Sequence, residues 1–172
     1  GGLKVNLNGE SSIRRLYALG EASSTGLHGG NRLASNSMME AAVYADAAAR
    51  HAISVIDSIE LQRDIPAWDY EGTAVPEEMA LITQDYKEMQ QIMTNYVGIV
   101  RSDVRLERAK RRLEIIFKET EELYLKSTLS QHLCELRNMI AVGYLIIKQA
   151  EARHESVGLH YSIDYPAKPV EI

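Results

Sequence analysis

The sequence predicts a mainly α protein: an antiparallel three-helix bundle preceded by the last strand, loop and helix of an α/β unit. Three observations point there. Apolar residues recur at alternating three- and four-residue spacing along three successive segments in the second half of the chain. A stretch rich in Gly, Ser and Asn, from Gly20 to Asn36, separates a short apolar run from an Ala-rich helical one. Between these halves lies a segment of no sustained period. The expected boundaries are 1–58 for the α/β edge, 59–75 for a linker and 76–172 for the helical domain with an extended tail.

Residues Leu3 to Asn6 alternate apolar and polar, and Asn8-Gly9 supplies the pair that a tight hairpin turn favours. Leu16-Tyr17-Ala18-Leu19, closed by Gly20, reads as a buried strand reaching its carboxyl end. The following loop allows close approach of a ligand. Ser35 or Asn36 is placed to cap a helix starting near Ser37 and running through Ala41 to Ile56. Pro66, Trp68, Gly72 and Pro76 then punctuate the linker. Pro76 with Glu77 and Glu78 suits a helix start by geometry and by dipole.

Three stripes follow. Met79, Ile82, Tyr86, Met89, Met93, Tyr96 and Val100 form the first, with Gly98 as a bend. Leu106, Ala109, Leu113, Ile116, Thr120 and Leu123 form the second, with Glu107 to Arg111 and Glu114 to Lys118 as outer i,i+4 pairs. Leu133, Leu136, Ile140, Gly143, Ile147 and Ala150 form the third. Short connections make an antiparallel bundle the economical way to cover all three faces. Gly158 is expected to end the last helix, and Tyr165-Pro166 to begin the tail.

Composition narrows the function classes. A chain of 172 residues buries roughly 70% of its unfolded surface, enough for one domain or one domain plus a piece of another. A net charge of −5 argues against nucleic-acid partners, which need a positive surplus. One cysteine, Cys134, excludes an internal disulfide and fits a reducing compartment, so the cytoplasm is expected. The most apolar window, Ile140 to Ile147, is far short of the ~20 residues of a membrane helix, and no span is expected. Gly1-Gly2, with neither an initiator Met nor a signal pattern, reads as an interior cut.

The chemistry is concentrated between Gly20 and Ser37. Glu21 follows the expected strand, and His28, Asn31 and Arg32 share one loop. Arg32 presents a planar fork suited to a carboxylate, and the helix start adds backbone N–H groups and positive dipole character. Those features converge on a small anionic or polar ligand, while a polar loop with one Arg reads equally as a structural turn. Elsewhere, Arg101, Arg105, Arg108, Lys110, Arg111 and Arg112 are interleaved with Asp103 and Glu107, the pattern of a solvated helix face. Cys134 reads as a packed thiol, His154 and His160 fit no metal spacing, and no metal site is expected.

At Leu16 to Glu21 and at Thr25 to Ser37 the sequence resembles the flavoproteins of the fumarate reductase, succinate dehydrogenase and L-aspartate oxidase superfamily. Within it, Asn95 to Arg101, Glu135-Leu136-Arg137-Asn138, Gly158 to Tyr161 and Asp164-Tyr165-Pro166 resemble the L-aspartate oxidase branch. The resemblance covers nearly the whole chain. It implies that residues 1–58 are the carboxyl-terminal edge of an FAD-binding domain, and that the N-terminal dinucleotide-binding part and a capping domain of the same polypeptide lie upstream. The activity implied for the whole enzyme is FAD-dependent oxidation of L-aspartate to iminoaspartate, with oxygen or fumarate as electron acceptor, at the start of the bacterial route to quinolinate and NAD. The chain alone is expected to be inactive. By resemblance, Arg32 is the substrate carboxylate clamp and Glu21 meets the flavin ribityl hydroxyls. Asn36, Ser37 and Met38 lie at the cofactor, the last two as backbone donors near the flavin pyrimidine. His28 matches a family His and is a candidate catalytic residue, a loop-ordering hydrogen bond being the alternative. Two departures stand out: Gly30 in place of the usual Ala, and Val157 in place of a common Arg. The competing expectations are a succinate dehydrogenase or fumarate reductase flavoprotein, and a stand-alone helical interaction module.

Overall fold

A computed structural model describes residues 2–29, 31–75 and 79–167. The chain divides into two compact units, Gly1–Ala67 and Trp68–Ile172. Gly1, Gly30, the expected helix start at Pro76-Glu77-Glu78 and the end of the tail lie outside the described residues.

In the first unit, β1 (Leu3–Lys4) pairs in parallel with β2 (Ser23–Ser24), Leu3 opposite Ser23. The turn at Asn8-Gly9 does close: Gly9 sits at φ +74°, and Asn6 Oδ1 accepts from the Asn8 and Glu10 N–H groups at 2.9 and 3.1 Å. It does not, however, fold β1 against the next segment. The strand expected at Leu16–Leu19 is reduced to one antiparallel bridge, Glu10 to Tyr17. Gly20, at φ +60°, breaks the extended path into a 3-10 turn over Gly20–Ala22, so the paired strand comes later. Arg15 holds φ +70°, a left-handed conformation that costs a non-glycine residue about 1 kcal/mol.

Helix α1 (Ala34–Ile56) begins three residues before the expected Ser37. Its N-cap is Leu33, which offers no side-chain hydrogen bond, and the Asn36 N–H closes a first turn on the Leu33 carbonyl at 3.1 Å. Ser35 and Asn36 therefore lie inside the helix and do not cap it. Only Glu40 and Ala48 are buried along its 23 residues.

The second unit is built from α2 (Met79–Tyr96), α3 (Asp103–Lys126) and α4 (Gln131–Glu151), packed pairwise. Contacts fix the sense: Lys110 in the first third of α3 meets Glu151 at the end of α4 (3.4 Å), and Arg108 of α3 lies over the ring of Tyr96 at the end of α2. Adjacent helices thus run antiparallel. The expected stripes of α3 and α4 form the core, with Leu133, Leu136 and Ile147 fully excluded from solvent. Each such side chain contributes about 1.5–3 kcal/mol. On α2 the buried set is Ile82, Met89 and Ile92, with Val97 just beyond, while Tyr86, Met93 and Tyr96 pack at its edge and Val100 is exposed. Ser102 and Ser130 cap α3 and α4, each hydroxyl accepting from the third residue on at 3.3 Å, a contribution of about 1 kcal/mol apiece. The ion pairs that α3 makes are other than the expected ones: Lys110, Arg112 and Glu121 bridge to neighbouring helices, and Glu122 pairs with Lys126 at i,i+4.

Helix α4 stops at Glu151, with Ala152 as C-cap, seven residues before Gly158. Gly158 instead turns the chain at φ +62° between Val157 and His160, which bridge. Beyond the turn, β4 (Tyr161–Ser162) pairs in parallel with β3 (Val100–Arg101). Arg101 leaves the basic helix face expected of it: Nη1 donates to His160 Nδ1 at 2.9 Å and Nε to the carbonyls of Val97 and Gly98. Nε2 of His160 donates to the Arg153 carbonyl at 3.1 Å, so the ring is neutral and protonated at Nε2. The tail is pinned as far as Tyr165, whose hydroxyl donates to Asp103 at 2.7 Å. Ala74, within the expected linker, bridges Ser127. No helix among the described residues is long and apolar enough to cross a membrane.

Candidate functional site

The first unit gathers its chemistry around one carboxylate. After β2 the chain loops back over the start of α1, and three side chains of that loop converge on Glu40. The Thr25 hydroxyl donates to Oε1, His28 Nε2 lies 2.6 Å from Oε2, and Arg32 Nη2 donates to Oε2 at 3.1 Å. Glu40 is 4% exposed, in an otherwise apolar and Ala-rich helical stretch. An ionised carboxylate only accepts, so Nε2 is the protonated nitrogen of His28 in this contact. The Thr25 hydroxyl foremost, then the His28 ring and the Arg32 charge, hold the Glu40 carboxyl below the usual carboxylate range.

Arg32 is fastened at one corner and loosely held at the others. Its Nη1 lies 3.5 Å from Glu21 Oε1, a carboxylate whose side chain is 89% exposed, and such a pair is weak in water. Its Nε is buried without a hydrogen-bond partner. An orphaned guanidinium donor beside a displaceable surface carboxylate fits an incoming anion. Around it the loop leaves room: a Cβ at Gly26 or Gly29 would meet nothing within 4 Å.

The remaining expected site residues lie on the first turn of α1. Asn36 and Met38 are exposed, Ser37 is half-buried with its hydroxyl 3.4 Å from the Leu33 carbonyl, and no side chain caps the helix. An uncapped amino end of a 23-residue helix fits a group that gathers negative charge. Arg32, His28 and Glu21 are thus brought together, and Asn36, Ser37 and Met38 form a neighbouring rim that the structure does not join to them.

Glu40 itself escaped the sequence reading. A signal was there: it is the only acidic residue between Glu21 and Asp46, and it shares a helix face with buried Ala48, eight residues on. Arg108 and Arg112 sit over the Tyr96 ring, each 6.0 Å from its centroid, and Cys134 is half-buried. Val157 is exposed. Among the described residues no group of three or more His, Cys, Asp or Glu is placed to hold a metal ion.

Comparison with known proteins agrees with this layout. Residues 1–38 match the family model of an FAD binding domain, and residues 86–169 match that of the fumarate reductase flavoprotein C-term. An L-aspartate oxidase from Vibrio cholerae is 41% identical over 99% of this chain and 32% of its own length. A chloroplastic L-aspartate oxidase 2-b from Nicotiana tabacum is 36% identical over 96% of this chain and 28% of its own. Among solved structures, Mycobacterium smegmatis Sdh1 in complex with UQ1 superposes with a TM-score of 0.74 at 25% identity, covering 96% of this chain and 30% of that one. The E. coli quinol fumarate reductase FrdA shares the fold, with a TM-score of 0.74 at 22% identity over 98% of this chain and 32% of its own. The chain spans about a third of the length of the curated relatives it matches.

Proposed function

Because the chain belongs to the fumarate reductase and succinate dehydrogenase flavoprotein superfamily, we propose that it forms part of an FAD-dependent L-aspartate oxidase converting L-aspartate to iminoaspartate. The observation that carries the reading is Arg32, held by a buried carboxylate yet with Nε unpartnered and Nη1 facing only an exposed Glu21. A substrate carboxylate displaces Glu21 from Nη1 and takes a charge-assisted bond. That contact fixes the α-carbon in one orientation, which lowers the entropic part of the barrier.

The residues present fit a flavin at the amino end of α1. Asn36, Ser37 and Met38 line the flavin pyrimidine edge in this reading, where the positive end of the helix favours developing negative charge. Glu21, once free of Arg32, accepts hydrogen bonds from ribityl hydroxyls. His28 keeps the loop folded through Glu40. Bound FAD supplies the two-electron acceptor for the α-carbon hydride, and oxygen or fumarate takes the electrons onward. The rest of the polypeptide contributes the dinucleotide-binding and capping parts, and the protein works in the cytoplasm.

The likeness to Sdh1 and FrdA favours a second reading, a succinate-oxidising or fumarate-reducing flavoprotein. Purified full-length protein decides between them: iminoaspartate formed from L-aspartate supports the first, and turnover of succinate without aspartate refutes it. In that protein Arg32→Lys loses the fork, and kcat/KM for L-aspartate is expected to fall about 10- to 100-fold, the worth of one charged hydrogen-bond pair. Unchanged steady-state kinetics at equal FAD content would remove Arg32 from the site.

A further inference from the structure

We propose that Glu40 is the positioning residue of the carboxylate clamp, setting the pose of Arg32 before substrate arrives; the proposal rests on the functional reading above and deepens it. A charge buried in an Ala-rich helix is costly unless paired and hydrogen-bonded. Here all three donors come from one loop of eight residues, Thr25 to Arg32. The two that share Oε2 are His28 and Arg32, so the ring and the guanidinium are registered to the same atom.

An Arg side chain gives up much of its rotamer entropy when it is fixed. Anchoring Nη2 on Glu40 makes that loss part of folding, leaving less to be lost on binding. The fork is thereby pre-organised while Nη1, facing only the exposed Glu21, stays open to a ligand. His28 on the neighbouring lone pair of Oε2 blocks the carboxylate from swinging away. Glu40→Gln keeps the shape but removes the charge: its carbonyl oxygen can still face His28 and Arg32 while its NH2 donates to the Thr25 hydroxyl, so the charge-assisted hold on Arg32 becomes a weaker neutral one.

The test is a double-mutant cycle in the full-length FAD-loaded enzyme. Glu40→Gln is expected to raise KM for L-aspartate about 10-fold or more at unchanged FAD content, with kcat changing less. Glu40→Asp, which retains the charge, is expected to recover part of the loss. In the Arg32→Lys background, where the fork is already gone, Glu40→Gln is expected to cost less than about 3-fold. Equal losses in both backgrounds would mean that Glu40 only holds the loop together, and would overturn the proposal, as would an unchanged KM. If Glu40→Gln fails to accumulate as holoenzyme, the cycle is run with Glu40→Asp, and additive losses there overturn the proposal in the same way. Succinate affinity by equilibrium dialysis provides the cycle without turnover. A wild-type enzyme that binds succinate but leaves L-aspartate unoxidised therefore sinks the functional reading alone, while the succinate cycle still decides Glu40.

Discussion

Gly143 lies where α4 crosses α2, and a single methyl added there should change the sign of its effect with its neighbour. A Cβ on Gly143 would overlap the tip of Met89, with Met93 Sδ at 3.4 Å and Met89 Sδ at 3.7 Å. Met89 is 2% exposed, yet it lines a hollow with Tyr86, Met93, Met139 and Gly143, so its flexible tip has limited room to shift. Gly143→Ala gains about 1 kcal/mol in helix propensity. Against that stands an overpacking cost of about 1–3 kcal/mol, in the lower half of the range because a Met side chain is compliant. The expected net is a destabilisation of about 0.5 kcal/mol. Met89→Ala alone should cost about 2–5 kcal/mol through the cavity it leaves. In that background the obstruction is gone and the new methyl fills vacated space, so Gly143→Ala should stabilise by about 1 kcal/mol. The coupling of about 1.5 kcal/mol is beyond the ~0.5 kcal/mol scatter of independent sites. Urea unfolding of the four proteins, followed by far-UV circular dichroism with matched m-values, measures it. Stabilisation by Gly143→Ala in the wild type, or the same effect in both backgrounds, would refute the packing described for this crossing.

Two further outcomes follow from polar groups of the bundle. His160→Ala strips Arg101 of one acceptor and the Arg153 carbonyl of its donor at a site 8% exposed, and should cost about 1–3 kcal/mol in urea unfolding. An unchanged midpoint would show that water replaces both bonds. Asp85 is pushed above the usual aspartate range by burial, then by Glu119 and Glu88. The native carboxyl therefore holds its proton more tightly than the unfolded one, a contribution present below the ordinary pKa and lost as pH rises through the folded value. Asp85→Asn should accordingly stabilise at pH 7 by a few tenths of a kcal/mol, discounted for solvent screening, and give no gain near about pH 3. A gain that persists in acid would locate the effect elsewhere.

The bundle was largely legible because its signal is periodic. The stripes on α3 and α4 coincide with the buried set, since in a helix of 21 or 24 residues many positions agree on one face. On α2 the Met and Tyr positions drew attention from Ile92, which burial favours. The alternation around β1 was readable, but two-residue strands that pair with segments distant in sequence give no sign of their partners, so β1 with β2 and β3 with β4 could not be inferred. At the site, Arg32, His28 and Glu21 stood out by residue type and loop setting. Glu40 did not, because a Glu within a helical pattern reads as solvent-facing, and its burial comes from a loop folding back over it. The early start of α1 was hidden for a related reason: Leu33 offers no cap for a propensity rule to detect.

The pairing of β3 with β4 also orders events in time. Arg101 and His160 are 59 residues apart, and both helices α3 and α4 lie between them. Closing a loop of that length costs chain entropy, and docking of the intervening helices shortens the path that must be closed. The two-residue ladder is therefore a finishing step of folding and the first part of the bundle to open in native-state fluctuations. Exchange of its backbone amides would thus act as a clock for the bundle, running fast where the tail unlatches and slowing to the global rate only in the helices it closes.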